Sequence, residues 1–130
     1  MIVLDASVLI AYLDSEDAHH THAEALLIQE IDDDFAASTL TLAEVLVMPA
    51  RQRRLDAALE ALEDLDVNEL AFPADSAVKL AQLRAGTGLK MPDCCVLLAA
   101  EDVRARVASL DDRLSDAAAS RNLVVVRDGR

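Results

Sequence analysis

Four acidic residues stand where an α/β chain could gather them. Asp5 closes a short β-branched run, "MIVLD". Glu44 lies about one turn into "STLTLAEVL", Asp93 sits at the mouth of the apolar stretch "MPDCCVLLAAE", and Asp111 follows "VASL". Carboxylates crowded together raise one another's pKa, so they persist as an ionised group only with a cation among them. All-oxygen donor sets select hard ions, Mg²⁺ or Mn²⁺ rather than zinc. Such a site polarises a phosphoryl oxygen and lowers the pKa of a bound water. Two ions about 3.5–4 Å apart would clamp both the attacking and the leaving oxygen of an in-line displacement.

Each acid also has a plainer reading. Asp and Pro crowd helix N-termini, where the first N–H groups lack partners and the dipole favours negative charge. Asp5 could cap the helix that follows "DAS". Thr41 and Glu44 have the spacing of a capping box. Asp111 or Asp112 could cap "RLSDAAAS", and Asp93 could simply open its helix.

The elements that must position these residues follow from periodicity. Strands are expected over residues 2–5, 34–38, 67–72, 106–110 and 123–126. Helices are expected over 7–14, 17–31, 39–52, 54–66, 73–86, 91–102 and 111–122. "GTGLKMP" is the one loop rich in Gly and Pro. Alternation of this kind predicts a three-layer α/β/α sandwich with a mainly parallel central sheet, one domain over residues 1–130. Ligands of such sheets bind in the crevice beyond the carboxyl ends of the strands. Asp5 and Asp111 close strands there, and Glu44 and Asp93 begin neighbouring helices, so all four are expected at one edge.

Composition bounds the partners. Apolar residues make up 53% of the chain, yet the only aromatics are Tyr12, Phe35 and Phe72, so the core must be aliphatic. A formal charge of −12 argues against gripping nucleic acid by a global basic field, although a cation-binding carboxylate cluster adds to such an imbalance. Cys94 and Cys95 are adjacent and lack zinc-ligand spacing, which makes them core-facing residues of a reduced, cytoplasmic protein. No stretch approaches the ~18 uninterrupted apolar residues of a membrane span. "HHTH" could place His19 and His22 on one helix face as a softer metal site, against the blander reading of His19, His20 and His22 as an exposed helix start.

Taken in order, the motifs resemble the PIN-domain ribonucleases, and within them the small toxins of VapBC-type toxin–antitoxin pairs. "MIVLDASVLIAYLD" looks like the opening strand with its first metal acid and a hydroxyl residue two positions on. "STLTLAEVL", "LKMPDCCVLLAAE" and "ASLDDRL" are similar to the second, third and fourth motifs. The resemblance spans nearly the whole chain. It implies that Asp5, Glu44, Asp93 and Asp111 are catalytic and hold one or two Mg²⁺ or Mn²⁺ ions, with Ser7 and Ser109 as supporting hydroxyls. Asp112 could share the work of Asp111.

The implied reaction is cleavage of an RNA phosphodiester by activated water, leaving a 5′-phosphate and a 3′-hydroxyl. A homodimer is implied, and a cognate antitoxin whose tail covers the acidic site. Arg51, Arg53 and Arg54 form the one basic cluster and could track phosphates, or merely complement a helix dipole. Lys90, Arg113 and Arg127 are weaker candidates. The rivals are a Mg²⁺-binding receiver-like domain, a haloacid-dehalogenase-like phosphatase, and a PIN fold that binds without catalysing. The receiver reading lacks an acid closing strand 3, and the phosphatase reading lacks a second Asp where Ser7 stands.

Overall fold

A computed structural model of the chain describes residues 1–127. It contains a four-stranded, wholly parallel sheet in the order β3-β2-β1-β4. The strands are β1 (Ile2–Leu4), β2 (Phe35–Ser38), β3 (Asn68–Leu70) and β4 (Arg106–Ala108). Between β1 and β2 run α1 (Ala6–Leu13) and α2 (His20–Gln29), and between β2 and β3 run α3 (Thr39–Arg51) and α4 (Leu55–Asp64). Then α5 (Ser76–Thr87) and α6 (Met91–Val103) lead to β4, which α7 (Asp112–Ser120) follows.

Strand periodicity explains the layers. Successive side chains point to opposite faces. Ile2 and Leu4 therefore join Phe35, Ala37 and the α1–α4 side chains in one core, while Val3 and Val107 join α5, α6 and α7 in the other. Every residue of β1 and β2 is buried, as strands covered on both faces must be. The central helix α6 is apolar nearly all round, with residues Cys94 to Ala100 all buried. Cys94 and Cys95 are free thiols in this core, as their lack of ligand spacing implied.

The expected fifth strand shrinks to a single bridge. Val125 pairs in parallel with Val107, whose N–H donates to the Val124 carbonyl (2.9 Å) and whose carbonyl accepts from the Val126 N–H (2.8 Å). Four valine-rich residues read as a strand, but Val124 is 63% exposed, so only one side of this segment has a layer to pack against.

The histidine run does not gather into a metal site. Among the described residues, no three His, Cys, Asp or Glu side chains are grouped closely enough to hold an ion. His20 instead ties α2 to α1, with Nδ1 2.8 Å from the Ala11 carbonyl oxygen and its ring stacked on Tyr12.

The crossovers place the site. The chain steps outward from β1 to β2 to β3, then returns across β1 to lay β4 on its other side. The order thus reverses between β1 and β4, and the crevice beyond their carboxyl ends is the ligand position of an open parallel sheet.

Candidate active site

Asp5 is the floor of that crevice. It leaves β1 in extended geometry (φ −87°, ψ 175°) and caps α1, accepting from the Val8 N–H at 3.2 Å. The same oxygen, Oδ1, accepts from the Ser7 hydroxyl at 2.6 Å, and Oδ2 accepts from the Ser109 hydroxyl. Each hydroxyl is itself fixed by a backbone donor, both at 2.9 Å: Leu110 N–H to Ser7 Oγ, across the switch point, and Asp111 N–H to Ser109 Oγ, within the loop after β4. Ser7 and Ser109 therefore hold one carboxylate between the ends of β1 and β4. A carboxylate oxygen offers two lone pairs. Oδ1 is filled, while Oδ2 keeps one lone pair for a further ligand.

Asp93 lies near enough to this group for its charge to act on Asp5. It is the third residue of α6, after Pro92, and its side chain caps nothing. Lys90, in the cap position, offers no side-chain cap either. Asp93 lies in the first turn, where its charge suits the helix dipole, but its carboxylate has no hydrogen-bond partner among the described residues, so it does not cap α6. Asp111 is the cap of α7, with Oδ1 accepting from the Arg113 N–H at 2.9 Å, and its other oxygen makes no hydrogen bond.

The electrostatics link these acids in pairs, Asp5 with Asp93 and Asp93 with Asp111. Burial pushes the Asp5 carboxyl above its usual value of 3.8; the hydrogen bonds from Ser109, Ser7 and Val8 pull it down, and the Asp93 charge pushes it up. Burial also raises Asp93, the Asp111 charge adds to the rise, and Lys90 and Arg113 oppose it. Asp112 has no such influence on Asp93, so of the paired acids it is Asp111 that faces the group.

Glu44, on α3, has no part in the shifts of Asp5 or Asp93, so the structure does not bring it together with them as expected. The capping box expected for Thr41 and Glu44 does not form, because the helix starts earlier: Ser38 is the cap and accepts from the Thr41 N–H at 3.1 Å. Glu44 is left exposed in the second turn. Its charge contributes to the raised pKa of Cys95 on α6, behind burial and Cys94, which places it beside the helix that carries Asp93. It also lines a groove with Ile10, Asp14, Met48 and Arg54.

Of the basic cluster, only Arg54 shares the Glu44 groove. Arg51 ends α3, Arg53 takes a left-handed conformation (φ 57°), and Arg54 begins α4 with its guanidinium on the Gln52 side-chain oxygen. Seven residues separate Glu44 from Arg51, a rise of about 10 Å along α3.

One supporting element was invisible in the sequence. The loop before Asp93 is braced by Arg84, which donates to the Leu89 carbonyl at 2.6 Å, and by Thr87 Oγ1, which accepts from the Leu89 N–H at 3.2 Å. Gly88 turns the chain there at φ 72°. Only the Gly-rich "GTGL" hinted at a tight turn; nothing local marked Arg84 as its anchor.

The donor set is oxygen only: carboxylates, with hydroxyls behind them. This chemistry fits Mg²⁺ or Mn²⁺. Among the described residues these acids do not form a group of three close enough to hold an ion by themselves; Mg²⁺ is commonly held by one or two carboxylates, with waters and substrate phosphate completing its shell.

An open parallel α/β sheet with a buried acid held at its switch point defines a class of small, acid-centred α/β domains. Within that class, the PIN domain family model matches residues 2–120, and the chain belongs to the PIN-domain family. The receiver-like and phosphatase-like alternatives are thereby set aside. Solved structures share the fold. The sarcin–ricin-loop-cleaving toxin VapC20 of Mycobacterium tuberculosis superposes with a TM-score of 0.73 at 19% identity, over 98% of this chain and 99% of that one. FitAcB of Neisseria gonorrhoeae gives 0.72 at 23% identity, over 98% and 97%. A toxin–antitoxin complex from Klebsiella pneumoniae gives 0.69 at 23%, over 85% and 87%. No curated protein matches the sequence significantly.

Proposed function

We propose that this protein is a divalent-metal-dependent endoribonuclease and the toxin of a toxin–antitoxin pair. The observation that carries the reading is a buried Asp5, held by Ser7 and Ser109 at the switch point of a PIN-domain sheet, with the charge of Asp93 acting on it and that of Asp111 acting on Asp93. Such a group gains most from a cation. Asp5 Oδ2, Asp93 and Asp111 would hold one or two Mg²⁺ or Mn²⁺ ions, with Glu44 reaching in from α3. Bound there, the ion supplies charge to a phosphoryl oxygen and lowers the pKa of its water.

The chain's own residues do the positioning. Ser7 and Ser109 lock the Asp5 carboxylate in one rotamer. The α7 N-terminus holds Asp111 through the Arg113 N–H, and the braced loop after α5 aims Asp93. Products would carry a 5′-phosphate and a 3′-hydroxyl. Arg51, Arg53 and Arg54 offer an outer track for the RNA backbone. The toxin role and the antitoxin partner are supported by kinship of fold with toxin–antitoxin complexes, including one from Klebsiella pneumoniae; the homodimer rests on the family resemblance of the motifs alone.

The test is cleavage of end-labelled RNA by protein freed of any co-purifying partner. Cutting is expected with Mg²⁺ or Mn²⁺, and is expected to vanish with excess chelator and in Asp93→Asn. Equal cutting by Asp93→Asn would remove this site from the reaction. No cutting of structured or single-stranded RNA would leave the non-catalytic PIN reading.

A further inference from the structure

The chain has half as many basic as acidic residues, 12 Lys and Arg against 24 Asp and Glu, and several of its cations are already engaged. Arg106 holds Asp33 and Glu30, Arg121 holds Glu101, Arg84 holds the Leu89 carbonyl, and Arg54 holds Gln52. Lys90 and Arg113 are different. Both are exposed, and neither forms an ion pair among the described residues. They stand on separate elements on either side of the acid group: Lys90 three residues before Asp93 at the start of α6, Arg113 two residues after Asp111 in the first turn of α7. Both backbones lie at helix N-termini, where the dipole also favours an anion.

We propose that Lys90 and Arg113 form a two-sided clamp for the RNA phosphates entering the acid site, gripping the backbone from the α6 and α7 walls of the crevice. The proposal rests on the nuclease reading and adds to it the residues that offset the repulsion between an acidic protein and a polyanion. Lys90 opens α6, which packs on β1 and β4, and Arg113 lies in the first turn of α7, which packs on β4 and whose cap Asp111 is tied to Ser109, so both stand at the carboxyl end of the β1–β4 crevice. Arg113 can fork onto two phosphate oxygens, whereas Lys90 acts as a point charge. The clamp supplies ground-state binding and orientation, and chemistry stays with the carboxylates.

The plain alternative is that the two cations only temper the acids. The two roles separate in kinetics. Lys90→Gln and Arg113→Gln are compared with wild type and with Arg104→Gln, which removes one charge at the far end of α6, about 20 Å away at 1.5 Å per residue over its 13 residues. Steady-state cleavage of a short single-stranded RNA is measured with Mg²⁺. Binding of the same RNA is followed by fluorescence anisotropy, with chelator and with Mg²⁺, across a salt series.

The clamp predicts KM and Kd roughly tenfold higher in each variant, with kcat nearly unchanged. The slope of log Kd against log salt should fall by about 0.7 for each phosphate no longer neutralised. Arg104→Gln should behave as wild type. A fall in kcat with KM and Kd unchanged would overturn the clamp in favour of tuning, and so would equal weakening by Arg104→Gln. A wild type that binds RNA but never cuts it would sink the nuclease reading, while the Kd comparison would still decide the clamp. A wild type that binds no RNA under either condition overturns the clamp itself.

Discussion

The two edges of the sheet treat the same side chain in opposite ways. At the amino edge, Asp33 lies 2.8 Å from the Met1 ammonium and 2.7 Å from Arg106, which also holds Glu30. Hydrogen bonds from the terminal amine and Arg106 keep the Asp33 carboxyl well below its usual range. At the carboxyl edge, Asp5 and Asp93 are pushed up, first by burial and then by neighbouring acids. Asp5 has neutral hydroxyls for partners there, and the free cations stop short of ion-pair contact. A carboxylate paired with a cation holds the fold together. A set of carboxylates without one is a standing cost to the fold that a bound cation and substrate would relieve.

The sharpest way to break that contrast is Asp5→Asn. Cleavage should fall by about three orders of magnitude, the size expected when several kcal/mol of metal-centred stabilisation is lost. Thermal stability should hold or rise, because a desolvated charge has been removed. Loss of activity together with a lower Tm would make Asp5 a structural residue like Asp33, and the comparison would fail.

Ser7→Ala and Ser109→Ala probe the partners of Asp5. Each should lower cleavage by roughly tenfold and raise the metal concentration needed for half-maximal rate, the usual scale for groups that orient a metal-binding carboxylate. Each variant also loses a hydrogen bond that pulls the Asp5 pKa down. The acid limb of the pH–rate profile should therefore move to higher pH. An unmoved limb would mean that the hydroxyls do not set the ionisation of Asp5.

The smallest effect belongs to the amino edge. Asp33→Asn should lower stability by about 1 kcal/mol with cleavage unchanged. Its pH signature follows from sign. Asp33 has a depressed folded pKa, so its contribution is present above the ordinary 3.8 and is lost as pH falls from there towards the folded value. Asp5 and Asp93 have raised folded pKa values and do the reverse: stability falls as pH rises from 3.8 through those values. Melting temperatures across pH should lose their acid-side rise in Asp33→Asn, whereas Mg²⁺ should flatten the later fall in wild type. A fall that Mg²⁺ leaves intact would separate the carboxyl edge from cation binding.

Much of this arrangement was legible residue by residue. The β-branched "MIVL", the helical spacing and the Pro at the start of α6 each encode a local preference that needs no distant partner. A full fifth strand does not form because valine content records what suits a sheet, not whether a covering layer exists for Val124. The Thr41–Glu44 capping box fails because Ser38, three residues before Thr41, competes for the same role and wins once β2 sets where the helix begins. The choice of Asp111 over Asp112 turns on which residue caps α7 and which enters it.

By itself, then, the sequence determined the order of strands and helices, the aliphatic core and the acids available to an all-oxygen site. These follow from periodicity, side-chain chemistry and the short reach of helix caps. The tertiary structure decided the rest: that β4 returns beside β1, and that Ser7 and Ser109 close on one carboxylate across the switch point. Those relations join residues up to 104 positions apart, as between Asp5 and Ser109. Only the packing of both helical layers onto one sheet brings such groups within a hydrogen bond, because no local preference carries information over that separation.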